Sequence, residues 1–178
     1  MENCIFCALG QGSIPSHNVY EDEKFFAFLD INPANPGHLV LAPKAHFRSI
    51  MEMGVEDYSR FFVVARALSL ALMEYGAEGI NFLHSMGEAA GQRVPHVIIH
   101  IIPRYKSDSV HLVWDPQKMD ESKLSELRSR IMAFIKQPGQ APVTAAPMMP
   151  QPQKQGEAPP KLPEAPVYQI KPRTAGYW

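Results

Sequence analysis

Two histidines and an isoleucine alternate near the middle of the chain, in the segment Pro95-His96-Val97-Ile98-Ile99-His100. Side chains of an extended strand alternate between its two faces, so His96, Ile98 and His100 are predicted to point the same way. Imidazole rings can attack phosphorus, transfer protons or bind a metal ion, whereas an isoleucine side chain can do none of these. The segment therefore predicts a histidine site whose middle position carries no reactive group.

A second group of reactive residues begins with Cys4-Ile5-Phe6-Cys7. A two-residue gap lets both thiolates reach one zinc ion, which needs four sulfur or nitrogen ligands. His46 and His96 are the best candidates for the other two ligands. Free thiols and a redox pair are the alternatives, but a redox pair should open a helix after a strand, and no strand precedes Cys4. A structural zinc ion is the favoured hypothesis.

The loop 87–92 contains two glycines and leads directly into the strand that carries His96 and His100. Small residues allow backbone N–H groups to approach a phosphate closely, and Ser85, Gln92 and Arg93 can add donors. An ordinary hairpin connection is the alternative. The nearby histidines favour a phosphate site.

Asp30 lies at the end of an apolar run and is followed by a turn rich in proline. A carboxylate in this position can accept hydrogen bonds from vicinal hydroxyls such as those of ribose. It can equally cap backbone N–H groups of the turn. His38, eight residues later, is on its own more often a buried core histidine than a ligand.

The pattern of apolar residues indicates which elements carry these groups. A helix is predicted over 55–75 with Gly76 as its stop, and the segments at 79–85 and 94–102 should form an antiparallel pair because their connection is too short for a crossover helix. Asp120 is a plausible cap for a last helix with apolar residues on one stripe. Strands are also expected at 19–22, 25–30 and 38–42. This order of elements predicts an α+β fold.

Composition limits the classes of function. The chain has 178 residues and a net charge of −1, which does not favour nucleic acid as a partner. No apolar stretch reaches the roughly 18 to 20 residues of a membrane span, and the first residues do not resemble a signal peptide. We therefore expect a cytoplasmic protein without a membrane partner.

The composition changes after residue 136, because ten of the 17 prolines lie beyond it. We expect a domain at 1–136 and a proline-rich extension at 137–178 that is disordered or polyproline-like. Its apolar residues could dock on this subunit or on a neighbouring one: Val167, Tyr168, Ile170, Tyr177 and Trp178.

Together these motifs resemble the histidine triad (HIT) superfamily of nucleotide hydrolases and nucleotidyl transferases, and specifically its zinc-bearing members. The resemblance covers about residues 2–105 and excludes the extension. It rests on motifs in a fixed order: Cys4-x-x-Cys7, Phe28-Leu29-Asp30-Ile31, Pro33-x-x-x-Gly37-His38, Pro43-x-x-His46, Gly79-x-Asn81, Gly87, Ala90-Gly91-Gln92-x-Val94 and the strand from His96 to Arg104.

The resemblance implies a HIT-like antiparallel sheet of about five strands with one long packed helix and a C-terminal helix, usually in a homodimer. It implies a purine nucleotide across the sheet, with Asp30 on the ribose and Phe28 and Ile31 at the base. The α-phosphate contacts would come from Ser85, Gly91, Gln92, Arg93 and His100. The implied zinc ligands are Cys4, Cys7, His46 and His96.

The resemblance also implies that the middle histidine of the strand attacks the α-phosphorus and forms a nucleotidyl-histidine. Ile98 stands at that position here, natural or engineered, and it has no lone pair. His84 is a poor replacement because strand alternation turns it away if Ser85 faces the nucleotide. His100 remains as a general base for direct attack by water.

Three hypotheses remain. The chain binds a purine nucleotide without covalent transfer, or it hydrolyses dinucleoside polyphosphates or nucleoside phosphoramidates, or it is a scaffold whose extension is the functional part.

Overall fold

The computed structural model describes residues 4–135, in which five strands form one antiparallel sheet of order β1-β2-β3-β5-β4. The strands and helices follow one another as α1 (Ile5–Gly10), β1 (Asn18–Glu21), β2 (Phe25–Leu29), β3 (Leu39–Pro43), α2 (Val55–Tyr75), β4 (Gly79–Leu83), β5 (Ile99–Arg104) and α3 (Glu121–Phe134). The predicted α+β fold and the antiparallel β4–β5 pair are confirmed. The proposed extension at 137–178 lies outside the described residues.

The long helix α2 packs against one face of the sheet. It has the predicted bounds and ends at Gly76, whose φ of 118° lies in the left-handed region that glycine adopts readily. Its buried side chains form the main core with inward-facing residues of β2, β3 and β5: Phe61, Val64, Ala65, Leu68, Leu72, Phe25, Ala27, Leu39, Leu41, Ile99 and Ile101.

The opposite face carries a smaller apolar cluster that includes residues of α1. Phe26 and Phe28 alternate with Phe25 and Ala27 along β2, so this strand is buried on both faces and reads as a continuous apolar run. The cluster comprises Leu9, Phe26, Phe28, Val40 and Ala42, with Phe6 and Ile98 packed against it.

The histidine strand begins later than predicted, at Ile99 instead of residue 94. Its pairing with β3 stops at Leu41 and Ile99, and a continued register would bring Val97 opposite Pro43. Proline has no backbone N–H to donate to the ladder. The N–H of Val97 instead donates to the carbonyl of Phe47 at 2.7 Å.

The turn between β2 and β3 is fixed to the end of β5 through Asn35. Its Nδ2 donates to the carbonyl of Pro103 at 2.8 Å and to Oδ2 of Asp108 at 2.9 Å. Asp108 also accepts two hydrogen bonds from the guanidinium of Arg104, which hold the pKa of its carboxyl well below its usual range. Asp30 and His38 flank this turn, so the two hydrogen bonds of Asn35 help to hold both residues in place.

The last helix belongs to a second compact unit that begins at His111. Asp120 occupies the predicted N-cap position, although its side chain makes no capping hydrogen bond, and no residue of α3 is buried. Within residues 4–135, no helix combines the length and the apolar character needed to cross a membrane.

Candidate functional site

His96, Ile98 and His100 line one cavity of about 470 Å³, as strand alternation predicts. Val97 and Ile99 point the other way and are fully buried in the main core. The alternation therefore extends over 96–100 although regular pairing starts at Ile99. His84 is not among the residues that line this cavity, and its Nδ1 donates to the carbonyl of Ile98 at 2.7 Å.

The four predicted metal ligands converge at one end of this region. One donor atom from each of Cys4, Cys7, His46 and His96 lies within 4.8 Å of the other three. The Sγ–Nδ1 separations are 3.4 Å for Cys4 and His96, 3.2 Å for Cys7 and His46, and 3.7 Å for Cys7 and His96. Bond lengths of zinc to sulfur and nitrogen place tetrahedral S and N ligands about 3.6 Å apart. The donor set and its spacing therefore fit a zinc ion.

The ring of His96 is held in the orientation that a metal ligand needs. Its Nε2 donates to the carbonyl of Pro43 at 2.9 Å, which leaves a lone pair on Nδ1, the atom beside both sulfurs. Burial lowers the pKa of His96 and keeps the ring neutral, as ligation requires. Burial raises the pKa of the Cys7 thiol, and the charge of a bound cation would oppose this effect.

A second cluster joins Asp30 just after β2, His38 just before β3 and His100 on β5. Nε2 of His38 lies 3.0 Å from Nδ1 of His100, and Oδ2 of Asp30 lies 3.8 Å and 3.9 Å from the Nδ1 atoms of His38 and His100. Burial lowers the pKa of both histidines, and the charge of Asp30 opposes this effect. Both rings are thus favoured in their neutral form.

The hydrogen bonds of His38 fix where the protons lie. The backbone N–H of Ala34 donates to Nδ1 of His38 at 3.1 Å, so the proton of the neutral ring is on Nε2. Nε2 must then donate to Nδ1 of His100. The proton of the neutral His100 ring therefore lies on its own Nε2, which makes that atom a hydrogen-bond donor.

The loop 87–92 is braced from within by Gln92. The side chain of Gln92 accepts from the N–H of Gly87 at 2.8 Å and donates to the carbonyl of Arg48 at 2.9 Å. Gly87 and Gly91 both have a φ of 86°, which favours glycine at these two positions. The Nε2 of Gln92 keeps a second N–H, so Gln92, Ser85 and Arg93 are the polar side chains of this region that can meet a ligand in the cavity.

A second cavity of about 470 Å³ adjoins the first and is mainly apolar. The two cavities share Phe6, Asp30 and His100. Phe28 and Ile31 line the second cavity, and further lining residues come from α1 and from the segment after it: Ile5, Leu9, Ile14, Pro15, Ser16 and His17. The first cavity, here called the polar cavity, and the second, the apolar cavity, together form a ligand trough. This trough suits a ligand with a flat apolar part and an anionic part.

Sequence reasoning missed Phe6 as a lining residue and underestimated His38. A large apolar side chain between two cysteines could have indicated this role for Phe6, because a metal-binding turn does not itself require one. His38 is indeed buried, but one of its nitrogens bonds His100 inside the site. No spacing rule indicates that contact, because the two residues are 62 positions apart.

These features define a class of protein, namely an α+β domain with an open antiparallel sheet, a two-part ligand trough and a Cys/His cluster beside it. A family model described as the HIT domain matches residues 11–107. The chain belongs to the HIT family.

Relatives with curated names include three from different lineages. An uncharacterised HIT-like protein of Methanocaldococcus jannaschii is 44% identical over 105 residues, covering 59% of this chain and 81% of the relative. "Protein hit" of Bacillus subtilis is 41% identical over 130 residues, covering 72% of this chain and 89% of the relative. Adenosine 5'-monophosphoramidase of Saccharomyces cerevisiae is 33% identical over 133 residues, covering 74% of this chain and 82% of the relative.

Solved structures share the fold. A HIT family protein from Bacillus subtilis has a TM-score of 0.67 at 37% identity, covering 76% of this chain and 99% of the other. A histidine triad nucleotide-binding protein from Candida albicans has a TM-score of 0.66 at 28% identity, covering 74% of this chain and 96% of the other. A Zn-bound histidine triad family protein from Mycobacterium smegmatis has a TM-score of 0.59 at 31% identity, covering 72% of this chain and 98% of the other.

Proposed function

We propose that this chain binds a purine nucleoside monophosphate such as AMP and that covalent nucleotidyl transfer is lost or greatly weakened in it. The trough supports this proposal because its apolar part suits a base and its polar part suits a phosphate. Asp30 lies in both parts, where a ribose would join the two. The relatives from Saccharomyces cerevisiae and Candida albicans carry names that refer to adenosine monophosphate chemistry and to nucleotide binding.

The observation that carries the second half of the proposal is the position of Ile98 in the cavity between His96 and His100. A nucleotidyl intermediate needs a lone pair on the attacking side chain, and Ile98 has none. His96 cannot take over this role while its Nδ1 faces the cysteine sulfurs and its Nε2 bonds Pro43.

Hydrolysis by direct attack of water is the second candidate, supported by the yeast relative that is named a phosphoramidase. This route requires His100 as a general base. The hydrogen bonds from Ala34 through His38 leave the Nε2 of His100 as a donor, which suits binding of a phosphate oxygen better than proton abstraction. We therefore rank binding above hydrolysis.

We further propose that Cys4, Cys7, His46 and His96 hold a structural zinc ion. The spacing of their donor atoms and the bond from His96 to Pro43 support this assignment. When bound, zinc would supply a charge that stabilises the two thiolates. It would also tie α1 to the segments that carry His46 and His96.

We also propose that the chain forms a homodimer through β4 and the adjoining face of α2. Among the described strands, β4 lies at one edge of the sheet, and Phe82 and Leu83 on it are 48% and 40% exposed. Tyr58 and Phe62 form an exposed aromatic pair on α2, with ring centroids 5.0 Å apart. An unpaired strand edge beside apolar surface favours association.

Calorimetry with AMP and the zinc-loaded full chain tests the main proposal. We expect saturable binding at one site per chain and a loss of affinity of about tenfold in Asp30→Ala, which removes a charged acceptor for the ribose. Glu23→Ala is the matched control, since this exposed carboxylate lines neither cavity. If AMP fails to bind, the proposal is wrong.

Incubation with adenosine phosphoramidate separates binding from hydrolysis. AMP release by the wild type at the rate of His100→Ala would support a binding protein. Release well above that variant would support the hydrolase.

A further inference from the structure

The short helix α1 takes part in both candidate sites. Cys4 is its N-cap residue and Cys7 lies in its first turn, so it supplies two of the four metal ligands. Ile5, Phe6 and Leu9 of the same helix line the apolar cavity. Any change in the position of α1 therefore alters the metal cluster and the cavity wall together.

Apart from these ligands, α1 is held by the packing of Leu9 and Phe6 in the smaller apolar cluster. It is six residues long, its N-cap residue makes no side-chain capping hydrogen bond, and Leu9 is its one buried residue. Isolated helices shorter than about 12 residues are marginal in water. A metal ion bound by Cys4 and Cys7 would join α1 to His46 after β3 and to His96 before β5.

Phe6 connects the two sites most directly. Its ring lies 5.5 Å from the ring of His96, centroid to centroid, at an angle of 44°. It also lines both the apolar cavity and the polar cavity. The His96 ring, which Pro43 holds and a bound metal would fix further, thus limits where the Phe6 ring can lie.

We infer that the metal centre positions the nucleotide pocket through α1 and Phe6, so that metal and nucleotide bind cooperatively. The inference rests on the proposed nucleotide and zinc sites and adds the coupling between them. Without the metal, the wall formed by Ile5, Phe6 and Leu9 must be ordered at the expense of nucleotide affinity. Because linkage is reciprocal, bound nucleotide must strengthen metal binding by the same factor.

Two measurements on the full chain test the coupling from both sides. Calorimetry compares AMP binding to the zinc-loaded protein and to protein stripped with a chelator under reducing conditions. A competition titration with a chromophoric chelator measures zinc affinity with and without AMP. We expect both ratios to agree and to fall in the range of about 5–150-fold that is typical of coupled sites.

Phe6→Ala should reduce this ratio toward one while zinc stoichiometry stays unchanged, because the ligands remain and the connecting ring is gone. Asp30→Ala is the matched control. It should weaken AMP binding to the loaded and stripped proteins equally and so keep the ratio, since Asp30 lines the cavities from β2 and the turn after it.

The outcomes distinguish the inference from the proposals beneath it. Absence of AMP binding to the zinc-loaded protein would refute the proposed function, and absence of zinc binding would refute the metal site. Equal AMP affinity with and without zinc would refute the coupling alone. Cooperative loss of the whole far-ultraviolet circular dichroism signal on zinc removal would also overturn it, because linkage would then run through global unfolding instead of α1.

Discussion

His38 donates from Nε2 to Nδ1 of His100 over 3.0 Å, because the backbone N–H of Ala34 already occupies the other ring nitrogen of His38. This contact joins β5 to the start of β3 and fixes the tautomer of a residue in the ligand trough. It gives His100 a donor that faces away from His38.

Removing the donor at position 38 should weaken nucleotide binding. We expect His38→Leu to raise the dissociation constant for AMP about tenfold, because the His100 ring is then free to adopt either tautomer and loses its support. His38→Gln keeps an N–H donor and should recover most of the affinity. Calorimetry measures both variants, and equal losses in Leu and Gln would contradict the role assigned to His38.

The same histidines predict how stability depends on pH. Burial lowers the pKa of His38 and of His100 in the folded chain, so below about pH 6.5 the unfolded chain binds more protons at these positions. The free energy of unfolding should therefore fall as the pH is lowered from about 7 to 5. Urea denaturation of the zinc-loaded protein measures it. His38→Leu should show a shallower fall, since one of the two groups is gone, and an unchanged slope would count against this account.

Restoring a nucleophile should restore covalent chemistry. Ile98→His places an imidazole in the polar cavity between His96 and His100. With adenosine phosphoramidate we expect an acid-labile adenylyl adduct, detected by intact-protein mass spectrometry. Ile98→Asn is the matched control, because it is polar but forms no such intermediate. If Ile98→His stays unmodified while it still binds AMP, the pocket differs from an active one in more than this side chain.

The metal site predicts a defined stoichiometry. Elemental analysis of freshly purified protein should find about one zinc per chain, and Cys7→Ser should retain little of it because one of four ligands is weakened. His111→Asn is the control, since this exposed histidine lies outside the cluster. Well under one equivalent of zinc in the wild type would rule out the structural zinc proposal. Zinc loss should also lower the thermal midpoint of unfolding.

The two sheet edges offer a matched test of the dimer. Phe82 on β4 and Val19 on β1 are each 48% exposed and lie on opposite edges of the sheet. Phe82→Lys should shift the chain to monomer in size-exclusion chromatography with light scattering, because it places a charge in the proposed interface. Val19→Lys should leave the dimer intact. A monomeric wild type, or a dimer lost in both variants, would contradict the proposed interface.

Local patterns were sufficient for much of the fold. The helix over Val55–Tyr75 was predicted with its stop at Gly76, since apolar residues fill much of its surface and glycine favours the left-handed end. The start of β5 could not be predicted from its own residues. It depends on Pro43, which cannot donate to the ladder and comes opposite this segment in the folded chain.

The candidate site residues could be predicted from residue types and motif order, because each motif is a short local pattern in the sequence. The patterns are the cysteine pair, Asp30 after a strand, and the alternating face of His96, Ile98 and His100. The contribution of α1 to the pocket was not predicted. Phe6 reaches His96 across 90 positions of chain, and only packing decides that contact.

The sequence by itself determined which reactive groups this protein has and which one it lacks, because a missing lone pair at Ile98 is a fact of covalent structure. Tertiary structure decided what the remaining groups can do. The hydrogen bonds from Ala34 through His38 place the proton of the His100 ring on Nε2, and Gln92 uses part of its amide to brace the loop for which the sequence predicts a phosphate site. Hydrogen-bond partners distant along the chain set these roles, and only folding brings them within reach.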